Sequence, residues 1–171
     1  PPRCTSTGCR RGVTLKIRWK TLLGCLAIPL AAGGLSALLS GGGMKDFAAL
    51  DQPPLSPPGW LFPVVWTILY LLMGLASYLV VTAPAAPVQR QRAIFVYGLQ
   101  LIVNLFWSPI FFSAKAYLFA FLWLLLLWGL ILITALRFAR IRPAAGWLLI
   151  PYLLWVTFAG YLNIGVYLLN R

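Results

Sequence analysis

Five long stretches without a charged residue constrain this chain more than any other feature of its sequence. They cover residues 21–39, 60–81, 94–112, 117–136 and 147–169, and each is about 19 to 23 residues long. A helix rises about 1.5 Å per residue, so each stretch can cross a hydrocarbon core of about 30 Å. A backbone exposed to lipid must satisfy its own hydrogen bonds, which favours helices. The sequence therefore predicts an all-α integral membrane bundle of five transmembrane helices.

Composition and charge support a membrane location. Charged residues make up only 9% of the chain and apolar residues make up 61%. Soluble domains carry charge on about a quarter of their residues, so lipid must surround most of this chain. Of the 14 basic residues, 11 lie in the N-terminal tail and in the second and fourth loops. Because basic residues beside membrane spans favour the cytoplasmic side, this distribution predicts a cytoplasmic N-terminus. It also accounts for the net charge of +12 without a nucleic-acid partner.

The same pattern divides the chain into a tail and a membrane domain. Residues 1–20 form a basic tail that we expect to be disordered, and residues 21–171 form the membrane domain. The longest loop of that domain covers residues 44–59 and contains four prolines, which stiffen an extended path. Such a loop is typical of a lid or a ligand-binding wall, and a plain connector is the alternative.

Acidic and histidine chemistry is almost absent from this chain. It has no His, and its only side-chain carboxylates, Asp46 and Asp51, lie in the first loop. An intramembrane proton relay, a Ser-His-Asp triad, a paired-carboxylate site and a zinc site all need residues that are missing here. The sequence therefore disfavours hydrolase and ion-pump functions. We expect no metal site and no required cofactor.

A polar stripe crosses the third predicted helix. Gln100, Asn104 and Ser108 recur at intervals of four residues, which places them on one helix face. Amides without partners in hydrocarbon cost on the order of several kcal/mol, so this face should point into the bundle. The stripe serves either in hydrogen bonds between helices or, through Asn104 and Ser108, in contact with a ligand.

Tryptophan is abundant, with 8 residues in the chain. Those near the ends of the apolar stretches are typical of interfacial anchors. Trp66, Trp107 and Trp155 lie deeper. They either pack the bundle or, together with Asn104, form a pocket for a flat apolar molecule.

The first apolar stretch carries small residues at helical spacing, including Gly33, Ser36, Ala37 and Ser40. Stripes of small residues allow helices to approach closely in lipid. Packing inside one bundle and packing against a second copy of the chain both remain open.

Three ordered segments resemble a known membrane-protein family. Residues 57–67 read P-P-G-W-L-F-P-V-V-W-T, which is similar to the pattern P-P-x-x-x-F-x-x-x-W. Residues 100–112 read Q-L-I-V-N-L-F-W-S-P-I-F-F, and residues 151–163 contain P-Y-L-L-W, F-A and L-N in that order. In these segments the sequence resembles the TspO/MBR translocator proteins, also called peripheral-type benzodiazepine receptors.

The resemblance implies a five-helix bundle, often a homodimer, with a pocket beneath the first loop. Members of the family bind porphyrins such as protoporphyrin IX and heme-related tetrapyrroles, and many bind sterols and benzodiazepine-type drugs. The matching positions imply a ligand-binding site made of Phe62, Trp66, Asn104, Trp107, Ser108, Tyr152, Trp155 and Ala159. Trp66 and Trp155 also match the tryptophans tied to light-dependent porphyrin breakdown in the family.

Two positions depart from the family pattern. Leu55 stands where the first loop of the family usually has a Trp, so one aromatic wall of the pocket is lost. Ile164 stands where sterol-binding members often carry Tyr, which weakens the expectation of a sterol ligand.

Three classes of function fit these residues. The first is a membrane receptor or transporter-like protein that binds porphyrin, or another flat apolar molecule, inside the bundle. The second is an enzyme that degrades porphyrin with light and oxygen, with Trp66 and Trp155 as its oxidisable partners. The third is a scaffold without a ligand that regulates other proteins. Directional transport is the weakest of these expectations, because nothing in the sequence identifies an energy source.

Overall fold

A computed structural model describes residues 17–41 and 50–170 of the chain. The described part contains five helices that are long and apolar enough to cross a membrane, and it contains no strand. These helices are α1 Trp19–Leu39, α2 Leu61–Val81, α3 Pro87–Ser108, α4 Tyr117–Ile141 and α5 Ile150–Leu169. The predicted all-α membrane bundle of five helices is confirmed. Most of the predicted tail and residues 42–49 of the first loop lie outside the described residues.

Several helices extend beyond the apolar stretches of the sequence. The third begins at Pro87 rather than Ile94, and the fourth ends at Ile141 rather than Leu136. A charged residue ends the stretch that can sit in hydrocarbon, but it does not end a helix, because Arg and Lys are good helix formers. Proline at the first position of α3 also favours the earlier start.

Two short segments complete the third and fifth membrane spans. A π-helical turn, Pro109–Ser113, continues α3 at its carboxyl end. A short helix, Pro143–Trp147, precedes α5 and lengthens the fifth span to Pro143–Leu169. Pro143 has no backbone N–H to donate and is therefore well suited to the start of the short helix. Pro109 instead lies inside the continuous third span, where it removes one helical hydrogen bond.

The helices form a closed ring in the order α1, α2, α5, α4, α3. The backbones of α1 and α2 pack closely, as do those of α1 and α3, α3 and α4, and α4 and α5. The ring closes between α2 and α5 through aromatic side chains. Phe62 and Trp155 lie 6.0 Å apart between ring centroids, and Trp66 and Tyr152 lie 6.2 Å apart. Large rings therefore fill the centre of the bundle at this seam.

Small residues determine how closely α1 approaches its neighbours. A Cβ atom on Gly74 of α2 would lie 2.8 Å from the carbonyl oxygen of Cys25 and from the Cα atom of Leu26. On α1, Gly33 lies directly against the ring of Tyr70, and the Ser36 hydroxyl donates a hydrogen bond of 2.8 Å to the Leu105 carbonyl. The small residues of α1 therefore serve packing inside one bundle, as such residues do in other membrane proteins.

The described part of the first loop lies against the carboxyl half of α5. The Asn170 side chain exchanges two hydrogen bonds with the backbone of Asp51, at 3.1 and 2.9 Å. The Tyr161 hydroxyl donates to the Pro54 carbonyl at 2.8 Å. These bonds hold the proline-rich segment over one side of the bundle.

Candidate ligand-binding site

A cavity of about 410 Å³ opens between α1, α2 and the carboxyl end of α3. Its wall is mainly aromatic and small, and it includes Gly33, Gly34, Ser36, Ser40, Phe62, Trp66, Thr67, Tyr70, Trp107, Ser108 and Phe112. Ser40 follows the last residue of α1 and Phe62 lies in the first turn of α2. The cavity therefore reaches the end of the bundle at which the first loop lies.

Aromatic rings build the inner wall of this cavity. Trp66 stacks on Tyr70, with centroids 5.7 Å apart and ring planes at 28°. Its other neighbour in the wall is Trp107, at 6.3 Å and 36°. Trp66 and Tyr70 are one helical turn apart on α2, so their stacking follows from helix geometry. The result is a wall of three aromatic rings whose neighbouring planes are inclined at 28° and 36°.

Hydroxyl groups supply most of the polarity of the wall. Ser36 and Thr67 donate to the backbone carbonyls of Leu105 and Pro63, at 2.8 and 2.7 Å. The Ser108 hydroxyl makes no hydrogen bond within the described part of the chain and remains available to a ligand. None of the described residues that line the cavity is charged. Such a wall favours an apolar ligand with a few weakly polar groups.

A buried polar chain lies behind the aromatic wall. The Asn104 amide donates to the Tyr152 hydroxyl at 2.8 Å, and that hydroxyl donates to the Gln100 side-chain oxygen at 3.1 Å. The Gln100 amide in turn lies 3.6 Å from the sulfur of Met73. Because the rings of Trp66 and Tyr152 pack in a T-shaped arrangement, this chain supports the aromatic wall from behind.

Comparison with known proteins assigns the chain to a family. The sequence model of the TspO/MBR family matches residues 25–169. This chain belongs to the TspO/MBR family. It is 37% identical to the tryptophan-rich protein TspO of Chlorobaculum tepidum over 151 residues, which cover 88% of this chain and 96% of that protein.

A bacterial and a mammalian relative extend this comparison. The chain is 36% identical to protein CrtK of Rhodobacter capsulatus, with 81% of this chain and 86% of that protein covered. It is also 36% identical to the translocator protein of Ovis aries, with 85% of this chain and 87% of that protein covered. The chain is therefore an integral multi-pass membrane protein of the TspO/MBR family, and the resemblance read from its three motifs is confirmed.

The structure places the predicted site residues in three different positions relative to the larger cavity. Phe62, Trp66, Trp107 and Ser108 line the cavity of about 410 Å³. Ala159 lines a smaller adjoining cavity. The other motif residues of the predicted site lie further back.

Three predicted site residues are not part of the wall of the larger cavity. Asn104 and Tyr152 belong to the buried polar chain behind it. Trp155 packs against Phe62 in a T-shaped arrangement, with 6.0 Å between ring centroids, and does not itself line the cavity. Their observed contacts are those of residues that position the wall.

Sequence reasoning did not select several residues of the wall. Tyr70 is four residues after Trp66, so its place on the same helix face could have been recognised. Gly33 and Ser36 were interpreted as packing residues, and together with Gly34 they also form the α1 side of the cavity. Small side chains leave the space that a ligand needs, which a search for large recognition residues overlooks.

No candidate metal centre accompanies this site in the described part of the chain. Within residues 17–41 and 50–170, no three His, Cys, Asp or Glu residues lie close enough together to hold a metal ion. The described wall offers aromatic faces and hydroxyl groups, and these bind organic molecules rather than hard cations.

Proposed function

We propose that this TspO/MBR protein binds a porphyrin, such as protoporphyrin IX, or a similarly flat apolar molecule in the cavity between α1, α2 and α3. The observation that carries this proposal is the aromatic wall of Trp66, Tyr70 and Trp107 beside a cavity of about 410 Å³. Ligand sites in proteins commonly measure about 300–1,000 Å³ and are mostly apolar. Offset stacking on aromatic rings favours a planar ligand.

The polar groups of a porphyrin also find suitable places in this arrangement. The cavity reaches the loop end of the bundle at Ser40 and Phe62, where the carboxylates of a porphyrin can stay in water. The Ser108 hydroxyl offers a hydrogen bond deeper in the wall. The macrocycle would then lie along the aromatic surface while its charged edge remains outside hydrocarbon, which avoids the cost of burying a carboxylate.

The two departures from the family pattern shape this proposal. Leu55 is 82% exposed, so this position of the first loop adds no aromatic ring to the site. A sterol or a benzodiazepine-type drug would meet the same apolar wall. Because Ile164 lacks the hydroxyl of the family's Tyr, a sterol gains less at that position than a porphyrin gains by stacking.

Binding is favoured over porphyrin breakdown by the position of Trp155. Breakdown that uses both tryptophans as oxidisable partners needs both beside the pigment. Trp66 lines the cavity, while Trp155 stands behind Phe62. A role as a ligandless scaffold is disfavoured by the size of the cavity and by its aromatic wall, because a bundle without a ligand gains stability by filling such a space.

A fluorescence titration with protoporphyrin IX tests the proposal. Added protoporphyrin IX should quench the tryptophan emission of the purified protein in detergent. The quenching should reach saturation, and the titration curve gives the Kd. In Trp66→Leu the Kd should rise about twofold to tenfold, because an aromatic stack contributes about 0.5–1.5 kcal/mol beyond buried area. Trp147→Leu is the matched control, since Trp147 is 73% exposed at the start of the fifth span. An unsaturable signal, or equal Kd values in both variants, would contradict the proposal.

Illumination of the same complex in air separates binding from breakdown. A binding protein leaves the porphyrin absorption spectrum unchanged beyond the bleaching seen with free pigment. A new product band that vanishes in both Trp66→Phe and Trp155→Phe would instead identify the protein as a degrading enzyme.

A further inference from the structure

The carboxyl half of α1 forms one side of the ligand cavity and packs little against the rest of the bundle. Of the 21 residues of α1, only Pro29 and Ser36 are buried. Gly34, Ala37 and Ser40 border the cavity, so the space of the cavity lies where this half would otherwise pack. Its contacts with α3 and with the π-helical turn that follows α3 therefore help to hold this side of the cavity in place.

Two hydroxyl groups form hydrogen bonds across this contact. The Ser36 hydroxyl donates to the Leu105 carbonyl of α3 at 2.8 Å. The hydroxyl of Ser113, the last residue of the π-helical turn, donates to the Leu39 carbonyl at 3.2 Å. Leu39 ends α1, and the last carbonyls of a helix have no donor within the helix. We call these two hydrogen bonds the α1 clasp.

Pro109 accounts for the acceptor that Ser36 uses. In a helix, each backbone N–H donates to the carbonyl four residues earlier. Pro109 stands four residues after Leu105 and has helical backbone angles, φ −57° and ψ −41°, but proline has no N–H to donate. The Leu105 carbonyl therefore lacks its usual helical donor. A carbonyl without a donor is costly in a membrane, and the Ser36 hydroxyl supplies one from α1.

The same proline begins the turn that carries the second bond. The Ala114 N–H donates to the Pro109 carbonyl at 3.0 Å, which is a spacing of five residues and marks a π-helical turn. Such turns inside α-helices are frequent at functional sites. This turn runs from Pro109 to Ser113 and places the Ser113 hydroxyl at the end of α1. Both bonds of the α1 clasp therefore depend on the irregular backbone at Pro109.

We propose that Ser36 and Pro109 are positioning residues of the ligand cavity. Pro109 leaves the Leu105 carbonyl without its helical donor, Ser36 donates to that carbonyl, and the bond fixes the separation between α1 and the aromatic wall. A cavity whose sides are held at a fixed separation is preorganised for a ligand of one thickness, such as a single planar ring system. The effect on ligand affinity rests on the proposed function, whereas the position of α1 does not.

Carbonyl NMR tests the hydrogen bond itself. Only three Leu residues of the chain precede a Phe, namely Leu61, Leu105 and Leu118. Labelling Leu with 13C at the carbonyl and Phe with 15N therefore gives three signals in an HNCO spectrum. In Ser36→Ala the Leu105 carbonyl signal should move to lower frequency, because hydrogen bonding deshields a carbonyl carbon. The other two signals are internal controls for an intact fold, and an unmoved Leu105 signal would refute the bond.

Spin-label distances test the position of α1 without any ligand. Leu38 on α1 and Leu118 on α4 are 79% and 44% exposed, so both accept a label as Cys variants in a chain without its native Cys residues. Adding Ser36→Ala should lengthen or broaden the distance distribution. Ser77→Ala is the matched control, because Ser77 is also buried but donates to Gly74 of its own helix. No change in Ser36→Ala, or an equal change in both variants, would overturn the proposal.

A double-mutant comparison tests the role of Pro109. In Ser36→Ala the Kd for protoporphyrin IX should rise about twofold to tenfold, because the loss of one hydrogen bond lowers the share of molecules that hold α1 in the binding position. In a Pro109→Ala background the N–H of residue 109 can donate to the Leu105 carbonyl, so adding Ser36→Ala should raise the Kd less. An equal rise in both backgrounds would show that Ser36 acts on the ligand directly and would overturn the proposal.

These measurements separate the inference from the proposed function. If the unmodified protein does not bind protoporphyrin IX, the proposed function is refuted, and the carbonyl signal and the spin-label distances still decide whether Ser36 positions α1. Normal binding with an unmoved Leu105 signal in Ser36→Ala would refute the α1 clasp alone.

Discussion

At the scale of single residues, one hydroxyl group joins two helices behind the ligand cavity. Tyr152 on α5 accepts a hydrogen bond from Asn104 and donates one to Gln100, both on α3. All three side chains are buried. Because each needs the others to satisfy its polar atoms, these residues act as a unit.

Replacement of Tyr152 by Phe should destabilise the bundle by about 1–3 kcal/mol, because it leaves buried polar atoms of Asn104 and Gln100 without partners. Thermal unfolding of the purified protein in detergent measures the effect. Tyr167→Phe is the matched control on the same helix, since the Tyr167 side chain is only half-buried. Equal stability of the two variants would show that the buried chain contributes nothing.

The same residues show what the sequence could and could not predict. The spacing of Gln100, Asn104 and Ser108 indicated one inward face, and the buried positions of Gln100 and Asn104 agree with it. The spacing did not indicate that Asn104 would bond to Tyr152 while Ser108 lined the cavity. Helical periodicity gives the direction of a side chain, and its partner depends on the neighbouring helix.

At the scale of helices, Gly74 sets how closely the backbones of α1 and α2 approach. A Cβ atom at Gly74 would lie 2.8 Å from backbone atoms of α1, which cannot move aside as a side chain can. The run of apolar residues in the sequence predicted both helices but not this contact, because a glycine without polar neighbours gives no sign of which helix lies against it. Only the relative position of the two helices in the folded bundle shows that Gly74 lies at their contact.

Gly74→Ala should therefore force α1 away from α2 and cost about 1–3 kcal/mol of stability, as overpacking does in other proteins. Gly98→Ala is the matched control, because a Cβ atom there meets no atom within 4 Å. That change should be neutral or stabilising by up to about 1 kcal/mol, since Ala favours helix over Gly. Unfolding in increasing concentrations of a denaturing detergent measures the stability of both variants. An equal loss of stability in both would contradict the close contact between α1 and α2.

At the scale of the whole molecule, most basic residues collect at one end of the bundle. The described members include Arg18 before α1, Arg90 in the first turn of α3 and Arg142 after α4. The first loop and the carboxyl end of α5 lie at the opposite end. A cytoplasmic N-terminus stays a prediction from the positive-inside tendency of such basic residues.

Cysteine labelling in intact cells tests that orientation. In a variant whose three native Cys residues are replaced by Ala, Leu55→Cys should react with a membrane-impermeant maleimide added outside. Gln89→Cys is exposed at the other end and should react only after the cells are opened. The reverse pattern would place the N-terminus outside.

The overall architecture was the most predictable part of this protein, and the outline of the cavity was the least. The length of the five stretches without charged residues is enough to predict membrane helices, and three motifs identify the family. The cavity depends on where small residues of α1 such as Gly34 leave space against the rings of α2 and α3. That space is a property of the assembled bundle, because no single segment encloses it.

The central claim is that the cavity between α1, α2 and α3 is where the ligand binds, and a cavity-filling variant tests it most directly. A Cβ atom on Gly34 or on Gly24 of α1 meets no atom within 4 Å, but only Gly34 borders the cavity. Gly34→Phe should weaken protoporphyrin IX binding at least about tenfold, equivalent to about 1.4 kcal/mol, while Gly24→Phe should bind as the unmodified protein does. Equal Kd values for the two variants would contradict the account.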